Sequence, residues 1–153
     1  MEKATTVDGD DYALVVERHV AAEPAAVYAY LTDSDRWARW QGAEATIDAQ
    51  PGGLFRMLMG TGQCARGQFV ELVPEKRVVF TWGWIDMPGL PPGSTTVEID
   101  LEQRDDGTLV RLTHRGLTAA QRDLHQIGWS HYLDRLVICA MGDDPGPDPG
   151  PGG

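Results

Sequence analysis

The sequence predicts an α+β fold: a curved antiparallel sheet of about seven strands wrapped on a long C-terminal helix, in the order β-α-α-β6-α. Three observations predict it. The apolar periodicity changes from helical to alternating at Ala43 and back to helical after Gly116. The breaks between the alternating runs are short turns, with no room for a crossover helix, so successive strands must run antiparallel. About seven strands then present more apolar area than two short helices can cover, so the helix at the end of the chain has to lie across the sheet.

Each element has its own signal. Tyr12–Ala21 (YALVVERHVA) is rich in Val and aromatic residues and reads as the first strand. Pro24 is placed to open a helix in its first turn, continuing through Ala25–Leu31. Asp33 or Ser34 can cap a second helix, Asp35–Trp40. Strands are expected at 43–48, 54–59, 63–73, 77–84, 95–104 and 108–115. The breaks between them are Pro51-Gly52-Gly53, Gly60-Thr61-Gly62, Pro74-Glu75-Lys76, Met87–Gly93 and Asp105-Asp106-Gly107. Phe69 and Leu72 differ in parity, which predicts a bulge in 63–73. Thr118 caps the long helix, roughly Ala119–Met141, which Gly142 ends and Pro145 keeps from resuming. Three segments follow: a flexible N-terminus at 1–11, one folded unit at 12–141, and a tail at 142–153 (GDDPGPDPGPGG) with no apolar side chain to bury, read as disordered.

Composition excludes several classes. Apolar residues are 42% of 153, a globular share, so the chain as a whole is not disordered. No apolar run reaches the roughly 20 residues of a membrane helix, and Met1–Asp11 show no signal-peptide pattern. With 13 basic and 23 acidic residues the net charge is −10, which argues against nucleic acid or an anionic membrane as partner. Cys64 and Cys139 form no disulfide framework and no CxxC pair, so a reducing, cytoplasmic setting is expected. The sequence holds no HExxH, no clustered His/Asp/Glu set, no GxSxG elbow and no Walker lysine loop, so neither a metal nor a cofactor is expected.

Alternation assigns the faces. Phe55, Met57 and Met59 share one side of their strand, as do Val78, Phe80, Trp82 and Trp84 of theirs. On the last hairpin Val97, Ile99 and Leu101 share one face of their strand, and Val110, Leu112 and His114 share one face of theirs; all these sets are assigned to the concave, inner side. On the long helix, His125, Trp129, Tyr132 or Leu133, Leu136 and Ala140 recur at three- and four-residue steps. Gly60, Gly62, Gly67 and Gly83 permit strong bending of the sheet. A bent sheet on one helix need not close, and large aromatics with flexible Met side chains suit a pocket for an apolar ligand. The same side chains could equally pack a solid core. The residues expected to line a ligand site are Trp40, Phe55, Met57, Met59, Phe69, Phe80, Trp82, Trp84, His114, His125, Trp129, Tyr132, Leu133 and Leu136. No catalytic residue is assigned; His114 and His125 are the best polar candidates, for orienting a carbonyl or hydroxyl or for acid–base work.

The order of elements matches a helix-grip fold, and the residues match a family. The stretches are Val16–Val20 with Pro24 and Val27–Leu31; Trp37–Trp40; Gly52-Gly53-Leu54-Phe55; Gly67 through Pro74; Arg77–Trp82; Thr108–Gly116; and Gly128-Trp129 with Leu133 and Leu136. Over about Val15–Ala140 the chain resembles the START-like SRPBCC superfamily, and within it the group named for the activator of heat-shock-protein ATPase. The segment Trp40-Gln41-Gly42 departs from the double-aromatic pattern often found there. The resemblance implies a hydrophobic cavity between sheet and long helix, and a small hydrophobic molecule, lipid- or polyketide-like, as the first partner. Polyketide cyclase- or hydrolase-type chemistry using cavity histidines is the alternative it implies, followed by a chaperone partner. The group's eukaryotic chaperone activators carry a further N-terminal domain, for which this sequence has no room. By the same analogy a homodimer is one expected assembly.

Overall fold

The computed structural model describes residues 13–148 and 150; the N-terminal segment read as flexible lies outside the described residues. The elements are β1 (Leu14–Val20), α1 (Pro24–Ala29), α2 (Ser34–Trp40), β2 (Glu44–Ile47), β3 (Leu54–Leu58), β4 (Cys64–Val73), β5 (Arg77–Trp82), β6 (Thr95–Arg104), β7 (Gly107–Arg115) and α3 (Ala119–Ala140). The strands form one antiparallel sheet in the order β1-β7-β6-β5-β4-β3-β2. Six sequential strands make a meander, and β1 returns to pair with β7, Leu14 opposite His114 and Val20 opposite Thr108.

The local signals are realised by specific bonds. The Asp33 carboxylate accepts from the Arg36 amide at 3.0 Å and starts α2. Thr118 and Gln121 form a capping box: Thr118 Oγ1 accepts from the Gln121 amide, and Gln121 Oε1 accepts from the Thr118 amide at 2.9 Å. At the other end of α3, Gly142 has φ 94°, its amide donates to Cys139 O, and the Asp143 amide donates to Ile138 O. These two bonds are a Schellman motif. The β4–β5 register shifts between Phe69 and Glu71, where parity placed a bulge.

Most strand ends fall within a residue or two of the expected ones, and the shortening of β5 has a specific cause. β5 ends at Trp82, because Gly83 brings its backbone against Pro91 so closely that a Cβ there would occupy the Pro91 carbonyl. The chain then leaves β6 and loops over, with the Trp84 amide donating to Leu90 O at 2.8 Å.

The centre of the grip is solid. Phe55 and Phe80 stack at 4.3 Å between centroids, Trp37 sets its edge against both, and Phe69 closes the group. All four are fully or almost fully buried, with Met57, Val78, Ile99 and Leu112. On α3, Leu133, Leu136 and Cys139 point into the core, as does Arg135, which is 8% exposed. That guanidinium donates to the carbonyls of Arg39 and Trp40 at the end of α2 and to Gly146 O at 2.8 Å. A cation at a helix C-terminus is electrostatically favoured.

Residues 142–148 and 150, in the stretch read as disordered, form neither helix nor strand, as Gly, Pro and Asp dictate. They are nevertheless held against α3 by Arg135 and by a 2.8 Å contact between His131 Nε2 and Asp148 Oδ1.

Candidate functional site

Beyond the aromatic cluster, toward the N-terminal half of α3, the packing opens into a cavity of about 460 Å³. Its floor is Trp82 at the end of β5. One wall is the 83–94 connection with Trp84, Met87 and Leu90. Another is α3, with Gln121, His125, Trp129 and Tyr132. Met59 and the turn Gly60–Gln63 form the third side, with Gln41 from the end of α2. Asp148 and Gly150 of the tail complete it. Leu124, 70% exposed, stands at the rim, so the cavity is open to solvent rather than enclosed.

Of the fourteen side chains expected to line a ligand site, six line this cavity: Met59, Trp82, Trp84, His125, Trp129 and Tyr132. The other eight lie elsewhere. Phe55, Met57, Phe69 and Phe80 share the inner face with Trp82 but interlock with Trp37 at the centre. Leu133 and Leu136 pack into the same core. Trp40, fully buried, tilts on Trp37 at 4.9 Å and donates its indole N–H to Tyr30 O, so it is corner packing and not the pocket entrance. His114 lies one layer below the cavity, fully buried. Face parity selects the correct side of a strand but not the position along it where packing gives way to a void.

Sequence reasoning missed Gln41, Gln121, Met87, Leu90 and Asp148. Gln41 lies in the segment Trp40-Gln41-Gly42 already singled out in the sequence; it is buried, and its Oε1 accepts from Trp37 Nε1 at 2.8 Å. Gln121 also does double duty: beyond its cap bond, its amide donates to Gly89 O at 2.9 Å and ties the 83–94 connection to α3.

Both histidines are consumed by the fold. An indole N–H can only donate. Trp129 Nε1 therefore fixes His114 Nδ1 as an acceptor at 3.0 Å, leaving the proton on Nε2 for Thr95 Oγ1 at 2.8 Å. Thr95 in turn donates to Trp82 O at 2.8 Å. In the same way Trp84 Nε1 donates to His125 Nε2 at 3.0 Å, while Nδ1 faces Gln121 O at 2.8 Å. Burial, and secondarily the neighbouring His125 charge, pushes the His114 imidazole down to about 3. Burial lowers His125 as well. Both are neutral near pH 7. Burial and the Asp148 carboxylate push the Tyr132 phenol up to about 12, so it too is uncharged.

Among the described residues no group of three or more His, Cys, Asp or Glu is placed to hold a metal ion, and no helix is long and apolar enough to cross a membrane. Arg56 and Arg66, which alternate with the inner-face residues of β3 and β4, do not line the cavity.

Comparison with known proteins agrees with this architecture. The human activator of 90 kDa heat shock protein ATPase homolog 1 is 28% identical over 109 residues, covering 71% of this chain and 31% of the human one. The chain thus spans about a third of the length of that relative. The solution structure of an AHSA1-like protein from Rhizobium etli is 48% identical, with a TM-score of 0.69, covering 90% of this chain and 88% of that one. The crystal structure of CalU16 from Micromonospora echinospora is 26% identical, with a TM-score of 0.72, covering 90% and 77%. The family described as activator of Hsp90 ATPase homolog 1-like protein matches residues 21–140, most of the folded chain, and the protein belongs to that family, within the START-like SRPBCC superfamily.

Proposed function

We propose that this protein binds a small hydrophobic or aromatic molecule in the cavity between α3, the 83–94 connection and the Gly60–Gln63 turn. One observation carries the reading: a void of about 460 Å³ persists beside a core that is otherwise tightly packed. That volume lies within the range of small-molecule sites, roughly 300–1,000 Å³. Its walls are indoles, thioethers and Leu90, with a few amides to orient a guest. Water in such a space has few partners, so displacing it by apolar surface is favourable. Native mass spectrometry of freshly purified protein is expected to show a co-purified small molecule, or uptake of one equivalent of a neutral aromatic probe. A protein that takes up no apolar or aromatic probe would end this reading.

The cyclase- or hydrolase-type alternative has less support, because both nitrogens of His114 and of His125 are already engaged. A chaperone-directed role is favoured by the name of the human relative, and the exposed Val15 on β1 and Ile127 on α3 offer apolar surface outside the cavity. It predicts a changed ATPase rate of a purified Hsp90 on adding this protein; an unchanged rate would remove it.

A further inference from the structure

The cavity has a charge character that its apolar walls conceal. Among the described residues that line it there is no Lys and no Arg, and its histidine is neutral. Its one carboxylate is Asp148, contributed by the tail. The Asp148 side chain is only 12% exposed. Its Oδ1 meets His131 Nε2 at 2.8 Å and accepts from the Gly150 amide at 2.8 Å. The cation nearest in charge, Arg135, does not line the cavity and spends its N–H groups on the main-chain carbonyls of Arg39, Trp40 and Gly146. The ring systems of Trp82, Trp84, Trp129 and Tyr132 line the same cavity, with the Tyr132 phenol next to the carboxylate. Indole and phenol faces carry negative quadrupole charge and attract cations, most strongly where water is excluded.

An anionic head group brought into this space would meet a carboxylate and π-faces, with no cation to replace its hydration. A positively charged one would meet the π-faces and the Asp148 carboxylate, for which it would compete with the His131 contact and with the Arg135 charge acting from outside the cavity. The net charge of −10 adds long-range attraction of the same sign. We propose, resting on the reading of the cavity as a ligand site, that its ligand class is an aromatic molecule bearing a positive charge, such as an amine, with Asp148 of the C-terminal tail as the counter-charge that selects it.

The test uses the full chain and three naphthalene probes of one shape: naphthylmethylamine, naphthylmethanol and naphthoate, titrated calorimetrically at physiological salt. The ammonium is expected to bind about tenfold tighter than the alcohol, one well-placed charge contact, with naphthoate weakest. Asp148→Asn should bring the ammonium to within about threefold of the alcohol measured on the same variant, and Asp148→Lys should put naphthoate ahead of the ammonium. Asp105→Asn, which removes the same charge from the β6–β7 turn, should preserve the wild-type order. The proposal is overturned if the ammonium is no tighter than the alcohol, or if the preference survives Asp148→Asn. Binding of the alcohol in those cases leaves the cavity reading standing; failure of all three probes to bind takes down both.

Discussion

At the scale of single residues, the decisive feature is the chain of bonds from Trp129 through His114 and Thr95 to Trp82 O. Every polar atom in it has a partner, which makes a buried polar network stabilising rather than costly. Protonating His114 would place a second N–H against the Trp129 donor. The folded-state value, about 3, lies below the unfolded value near 6.5. The unfolded chain therefore binds more protons between these limits. The contribution of His114 is complete above about pH 6.5 and is lost as pH falls toward 3, at up to about 1.4 kcal/mol per pH unit. Denaturant melts from pH 7 to pH 4 should show this slope on top of carboxylate titration, and His114→Gln should flatten it. Parallel curves for the two proteins would rule the network out as a source of acid sensitivity. The sequence placed His114 correctly on an inner face; it could not show that two donors and acceptors from β6 and α3 would meet it there, because those residues are 19 and 15 positions away.

At the scale of elements, nearly every boundary was legible. Asp33, Thr118 and Gly142 act at helix ends through bonds to residues three positions away, and Pro24 through its fixed φ at the first helical turn, so their effect is encoded locally. Thr118→Ala removes one member of the capping box and should lower stability by about 1 kcal/mol, read as a reduced denaturation midpoint with an unchanged slope; an unchanged midpoint would show that the cap is not limiting. β5 is the instructive exception. Alternation ran on through Trp84, but Gly83 meets the Pro91 backbone and the strand stops at Trp82. A contact across eight residues overrode the period on the β6 side: Trp84 stays bridged to Ala65 of β4, and the loop that follows brings Met87 and Leu90 beside it to wall the cavity.

At the scale of the whole molecule, the two arrangements that the residues left open, a packed core and an unfilled cavity, occur at different ends of the grip. Phe55, Phe69, Phe80 and Trp37 fill the centre, while Trp82, Trp84 and Trp129 border a void. The tail shows the same limit. Read from its composition as disordered, it forms neither helix nor strand in its described residues, yet Arg135 and His131 hold it beside the opening, where Asp148 joins the wall. Unaided, the sequence determined the order of elements, the handedness of their faces, the caps and the family, because these depend on periodicity and on bonds between near neighbours. Only tertiary structure decided where along the inner face the packing fails, how both histidines are spent, and that a Gly/Pro/Asp tail contributes a carboxylate to the cavity. Those outcomes depend on the volumes and charges of side chains drawn together from distant positions, a sum that no local pattern contains.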